Sequence, residues 1–195
     1  SSEGNTIFRK LLLKRSQENP SLLYNEMLSW LFIQQKDFGK AFAQERAIYK
    51  RGEKNLQGIL NLAVMAKNAE DYEAAEEIIA YAIEESPSPT FNLRGRHFQL
   101  GLKEKTVSGK ELEKLEQEYR SLLEEYGYTS ETLDIQVDLA NFMAFRLDKK
   151  QEAVALLKNL SKSNLNEFEQ AKVKMATGDI LVMQEKFNEA LIFYS

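Results

Sequence analysis

Side chains able to do chemistry are sparse in this chain. His97, in the run LRGRHFQL, is its only histidine. With no second histidine and no ExxH spacing it cannot found a zinc site, and a surface or partly buried imidazole accounts for it better than a general base. Glu73 with Glu77, and Glu113 with Glu116, stand at helical spacing. Such pairs could share a divalent cation, but a solvated acidic face explains them more simply. The serines lie in no nucleophile-elbow pattern, and no glycine-rich phosphate loop occurs. Zero cysteines exclude disulfides and thiolate metal sites, and fit a reducing or an oxidising compartment alike. The expectation is therefore a protein that is not an enzyme, with no catalytic residues, no metal and no cofactor.

The elements that would carry any site are helices. A chain of 195 residues that is 43% apolar and 29% charged has the profile of a folded domain or two. Its 26 basic and 30 acidic side chains are interleaved, which argues against nucleic acid as a partner. The longest apolar clusters, Leu11 to Leu13 and Leu28 to Ile33, fall far short of the roughly 20 residues that span a bilayer, so no direct membrane insertion is expected. The opening SSEGNTIFRK carries no readable targeting signal. Only three prolines and nine glycines occur, and apolar residues recur every three or four positions, so an all-α fold follows. Asn19–Pro20 and Ser88–Pro89 read as helix starts, with capping boxes at Ser108/Glu111 and Asn166/Glu169. These marks, with breaks at ESPSPT and EYGYTS, predict about eleven helices.

The chain repeats. QKDFGKA (35–41), AEDYEAA (69–75), LDKKQEA (147–153) and QEKFNEA (184–190) each pair a polar turn with an alanine, and in three of them Phe38, Tyr72 or Phe187 lies three residues earlier. The alanines at 41, 75, 153 and 190 are 34, 78 and 37 residues apart, and the 78 holds two units if a diverged one is centred near Leu112. Small residues recur upstream as well. Gly178 and Leu181 lie twelve and nine residues before Ala190, and Tyr194 four after it. Leu28, Ser29 and Phe32 precede Ala41, and Leu62, Ala63 and Ala66 precede Ala75, in the corresponding places.

In these residues the chain resembles the tetratricopeptide repeat family, whose unit is an antiparallel helix pair of 34 residues. The likeness covers nearly the whole chain, with Pro87 where the family often closes a unit. It is degenerate in the third unit, which has an enlarged turn (KEKTVSGK) and no small residue at its centre, and in the fourth, which has Asn141 where glycine is preferred. The resemblance implies a single array forming a right-handed α-solenoid: a half unit at 1–20, then units at 21–54, 55–87, 88–129, 130–165 and 166–195. Small residues mark the helix crossings. Ser195 would fall inside a second helix, and TIFRKLLLKRSQENP would be a lone second helix. Both suggest a segment of a longer array, with self-association through uncapped ends as a consequence.

The same resemblance implies a protein-interaction scaffold whose first helices line a groove for a partner peptide or helix. The lining would comprise Glu26, Trp30 and Gln34; Gln57, Leu60, Val64 and Lys67; Asp138, Phe142 and Arg146; and Lys172, Asp179 and Met183. Trp30 and Phe142 would be its apolar anchors, provided they are exposed. The family's carboxylate-clamp subset is matched by little beyond Asn61, and its activity is not carried over. A structural spacer or self-assembling module is the alternative. Long, irregular arrays of this kind are frequent in bacterial proteins, which favours the envelope or periplasm over the cytoplasm.

Overall fold

The computed structural model describes residues 2–19, 21–52 and 55–194. Eleven α-helices and one 3-10 turn make up its secondary structure, with no strand among the described residues. The chain divides into two compact units, residues 1–102 and 103–195.

The first unit holds α1 (Ser2–Glu18), α2 (Leu22–Gln34), α3 (Phe38–Arg51), α4 (Gln57–Asn68), α5 (Tyr72–Glu85) and α6 (Pro89–Thr106) as far as Leu102. Consecutive helices pair, α2 with α3 and α4 with α5, while α3 also packs on α4 and α1 on α2. Their shared core includes Leu28, Phe32, Phe42, Ile59, Leu62 and Ile78. On its far side Tyr81 meets the rings of Phe42 and Tyr49 edge-on, with the Arg46 guanidinium 4.7 Å from its centre. The second unit holds the end of α6, α7 (Glu111–Tyr126), a 3-10 turn (Ser130–Thr132), α8 (Leu133–Arg146), α9 (Lys150–Leu160), α10 (Glu167–Met183) and α11 (Phe187–Tyr194). Here α8 pairs with α9 and α10 with α11, while α7 packs on α8 and α9 on α10.

Four inter-helix turns share one design. Lys36, Glu70, Asp148 and Glu185 all adopt left-handed backbone, with φ of 56°, 63°, 57° and 59°. In three of the turns the next N–H reaches back to a carbonyl five residues earlier: Asp37 to Phe32, Asp71 to Ala66 and Lys186 to Leu181, at 2.9 to 3.0 Å. This 6→1 bond satisfies a carbonyl that the helix end would otherwise leave open. The second helix then starts at once, and Asp37 and Asp71 cap it by accepting from the N–H of Lys40 and of Ala74. Five residues after each left-handed residue stands an alanine, and Ala41, Ala75, Ala153 and Ala190 are all at most 1% exposed. Alanine at the crossing lets the paired backbones approach, as the spacing predicts.

Two expected helix starts are corrected. The α2 cap is Ser21, whose Oγ accepts from the Tyr24 N–H, so the helix opens past Asn19; Pro20 lies outside the described residues. The Ser108/Glu111 box does not form, because Glu111 is the first residue of α7 and a box needs its glutamate two positions further in. Gly109, at φ 58°, turns the chain there instead. Ser88 does cap α6, and the Asn166/Glu169 box is complete, with both bonds at 2.9 Å.

Candidate functional site

On α4, Gln57, Leu60, Asn61 and Val64 lie at i, i+3, i+4 and i+7, so they form one face of the helix. On α6, Phe91, Arg94, Gly95 and Phe98 repeat that spacing. The two faces enclose a cleft of about 220 Å³, with Ala63 and Ile79 also in its lining. Gly95 is what brings α6 close: a Cβ there would stand 2.5 Å from Ile83 Cγ1 of α5. Phe91 and Phe98 are half-buried, whereas Gln57, Asn61, Val64 and Arg94 are exposed. The Gln57 amide donates to Asn61 at 2.8 Å, and Lys67 lays its ammonium 4.9 Å from the centre of the Phe98 ring. Apolar walls with a few aimed polar groups are the usual make-up of a binding cleft.

The sequence reading placed Gln57, Leu60, Val64 and Lys67 on this surface but missed Phe91, Arg94 and Phe98. The signal was available. Leu23, Glu26 and Trp30 on α2 become Gln57, Leu60 and Val64 after 34 residues, and Phe91, Arg94 and Phe98 after 34 more. The α2 set also lines a cleft: Phe8, Leu23, Glu26, Met27 and Trp30 enclose about 300 Å³, and Trp30 is 58% exposed. Gln34, one turn further, is exposed.

In the second unit the expected lining does not come together. Phe142 is 2% exposed, so it is a core residue and not a groove anchor; its ring stacks on Tyr119 of α7 at 5.9 Å. The cause is one extra residue in the turn. The Lys149 N–H reaches back six residues, to Met143, where the other three turns reach back five. Counting from that carbonyl, Met143 corresponds to Phe32, Ala66 and Leu181, and Ala140 to Ser29, Ala63 and Gly178. Ala140 is fully buried and Asn141 only half-buried, so Ala140 and not Asn141 is the small residue at the crossing. The counterparts of Trp30 and Gln34 become Asn141 and Phe145, and Phe145 is 46% exposed. Phe142 falls where Leu31, Met65 and Ile180 lie; Leu31 and Ile180 are buried, as Phe142 is, while Met65 is 45% exposed.

Other members of the expected lining are tied up locally. Arg146 donates to the carbonyls of Glu104 and Val107 at 2.7 and 3.0 Å, holding the α6–α7 turn. Asp138 is half-buried near Glu104, whose carboxyl is pushed up by burial and by the Asp138 charge, against the hydrogen bond it receives from Tyr119. Burial and the same carboxylate push the Tyr119 hydroxyl up. Lys172 pairs with Asp134 at 2.6 Å, and Asp179 accepts from Tyr194 at 2.6 Å. Met183 is 44% exposed. Among the described residues, no group of three or more histidines and carboxylates stands ready to hold a metal, and no helix is long and apolar enough to cross a membrane.

No protein-family model matches the chain, and no curated protein matches it by sequence. Solved structures do match in shape. A tetratricopeptide repeat protein from Parabacteroides merdae ATCC 43184 aligns at a TM-score of 0.55 and 11% identity, covering 98% of this chain and 70% of that one. The MamA RS-1 ArsTM double mutant aligns at 0.54 and 9% identity, covering 89% and 90%. BtubC (BKLC) from P. vanneervenii aligns at 0.53 and 14%, covering 98% and 85%. Helix pairs joined by a recurrent left-handed turn, buried alanines at the crossings and these likenesses together identify the fold of this chain as the tetratricopeptide-type helical repeat.

Proposed function

We propose that the chain is a protein-interaction module in which α2, α4 and α6 bind a segment of a partner protein. The observation that carries this is the cleft between α4 and α6, where Leu60, Val64, Phe91 and Phe98 offer apolar surface to solvent and Val64 and Phe98 stand 34 residues apart in equivalent positions. A side chain of leucine or phenylalanine size fits such a space, and anchor residues seated in clefts supply most of the affinity in recognition of this kind. Site-specific photocrosslinking in the native cell tests the reading. A photoreactive residue at Val64 should give a discrete adduct that is lost when Leu60→Glu is added, and one at the exposed Glu77 of α5 should not. Equal adducts at both positions, or none at Val64, would refute it.

A second reading, self-association, rests on α11, whose Phe187, Leu191 and Ile192 are 58%, 65% and 71% exposed. An apolar stripe of this kind is a surface for protein contact. Sedimentation velocity over a hundredfold concentration range should show association that Leu191→Glu abolishes. A single species throughout would dispose of this reading and leave the first untouched.

A further inference from the structure

Charge is sorted by helix in the first unit. The outer helix α5 carries five glutamates, Glu73, Glu76, Glu77, Glu84 and Glu85, and no basic residue. The cleft helices are the reverse: α4 and residues 89–102 of α6 carry Lys67, Arg94 and Arg96 and no carboxylate. This holds in a chain whose net charge is −4. Neighbouring acids are already engaged, Glu45 by the Ser29 hydroxyl and Glu76 by the Gln99 amide. Arg94 lies midway between Phe91 and Phe98 on the lining face, is exposed, and makes no hydrogen bond or ion pair among the described residues. An exposed guanidinium on the same lining face as two phenylalanines, in a cleft whose lining holds no acid, is arranged to take a carboxylate in a two-pronged hydrogen bond beside an apolar contact.

We infer that the α4–α6 cleft selects acidic partner segments, in which a large apolar side chain seats between Leu60, Val64 and the two phenylalanines and an adjacent aspartate or glutamate bonds Arg94. This rests on the groove reading above and goes further by fixing the chemistry of the occupant. The exposed Gln57 and Asn61 amides, at the Phe91 end, serve the segment's backbone. Sequestering the negative charge on α5 makes the cleft the attractive side for such a segment, and long-range attraction speeds its encounter.

Selection from a random dodecapeptide library on the intact chain tests this, with each selected peptide resynthesised as a C-terminal amide so that only side-chain carboxylates count. Peptides that bind wild type and lose binding to Val64→Glu should be enriched in Asp or Glu next to Leu, Met, Phe or Trp. Their affinity should fall about tenfold or more in Arg94→Gln and further in Arg94→Glu, since a charged hydrogen bond is lost and then a repulsion gained. It should also fall several-fold between 50 and 500 mM salt. Far-UV circular dichroism of each variant confirms that the exposed substitutions leave the helices intact. Val64-dependent peptides that are neutral or basic, or that bind Arg94→Gln as well as wild type, would overturn the acidic preference and leave the groove reading standing. A selection yielding no Val64-dependent peptide would overturn both.

Discussion

Replacing Phe142 by alanine removes a ring that is 2% exposed and stacked on Tyr119, in a helix buried on almost every side. Leu139, Ala140 and Met143 are themselves at most 1% exposed, so little can move in to fill the space. Truncations of this kind cost about 3 to 5 kcal/mol, and the lost ring pair puts the value in the upper part of that range. For a chain of this length each kcal/mol moves the midpoint by about 2 to 4 °C, so the Tm should drop by about 8 to 20 °C. The comparison is Trp30→Ala. With its ring 58% exposed, it should cost less than about 1 kcal/mol. Thermal and urea melts followed by far-UV circular dichroism suit both variants, because Trp30 is the only tryptophan and its emission reports on α2 alone. That emission should be red-shifted and open to aqueous quenchers. If Phe142→Ala melts with wild type, or if Trp30→Ala costs as much, the one-residue offset assigned to α8 is wrong.

Three further substitutions probe the frame. Ala75→Leu places three extra carbons at a fully buried crossing and should cost about 1 to 3 kcal/mol in the same melts, whereas Ala80→Leu on the exposed side of α5 should be neutral. Glu70→Gly relieves a left-handed backbone position that an L side chain occupies at a cost of about 1 to 2 kcal/mol, against about 0.5 to 1 kcal/mol of added chain entropy, so a small rise in stability is expected. Glu116 is 5% exposed and accepts from Arg120 and Lys149 at 2.6 Å each. Burial alone would push its carboxyl up, but bonds from Lys149 and Arg120 outweigh that and hold it below the usual range. Its stabilisation is therefore complete above the unfolded value of about 4.3 and disappears as pH falls through the lower folded value. Glu116→Gln should thus be weaker than wild type at pH 7, by about 1 to 3 kcal/mol, with the gap closing as the pH falls below the unfolded value; a gap independent of pH would exclude the ion pair as its source.

The helix pairs were legible because each carries a redundant mark, a polar turn followed after a fixed interval by an alanine that has to be small. Where the mark is intact, at Ala41, Ala75 and Ala190, the upstream register also falls correctly, with Leu28, Leu62 and Leu181 buried. The failure at Phe142 has a physical cause: counting backwards from Ala153 assumes a turn of constant length, and the LDKK turn is one residue longer. Phe91, Arg94 and Phe98 escaped for a different reason. Their unit has no alanine mark, its turn is made by Gly109 and not by the left-handed L residue of the four marked turns, and the 34-residue interval was not carried forward from α4. Gly95 is a small residue at a tight crossing, but nothing in the adjoining sequence announces that Ile83 lies against it.

The longer turn after α8 has a consequence for how such a chain changes what it displays. An α-helix turns about 100° per residue, so one residue gained between a helix and its fixed partner rotates the whole outward row at once. Phe142 goes inward, Phe145 comes out, and no side chain has been replaced. A single-codon insertion in a solvent-facing turn is in this sense a many-position edit of the displayed surface, made where the fold tolerates it best. Two chains that agree at every helical residue could then differ wholly in what they bind, and a comparison of their aligned side chains would show no reason for it.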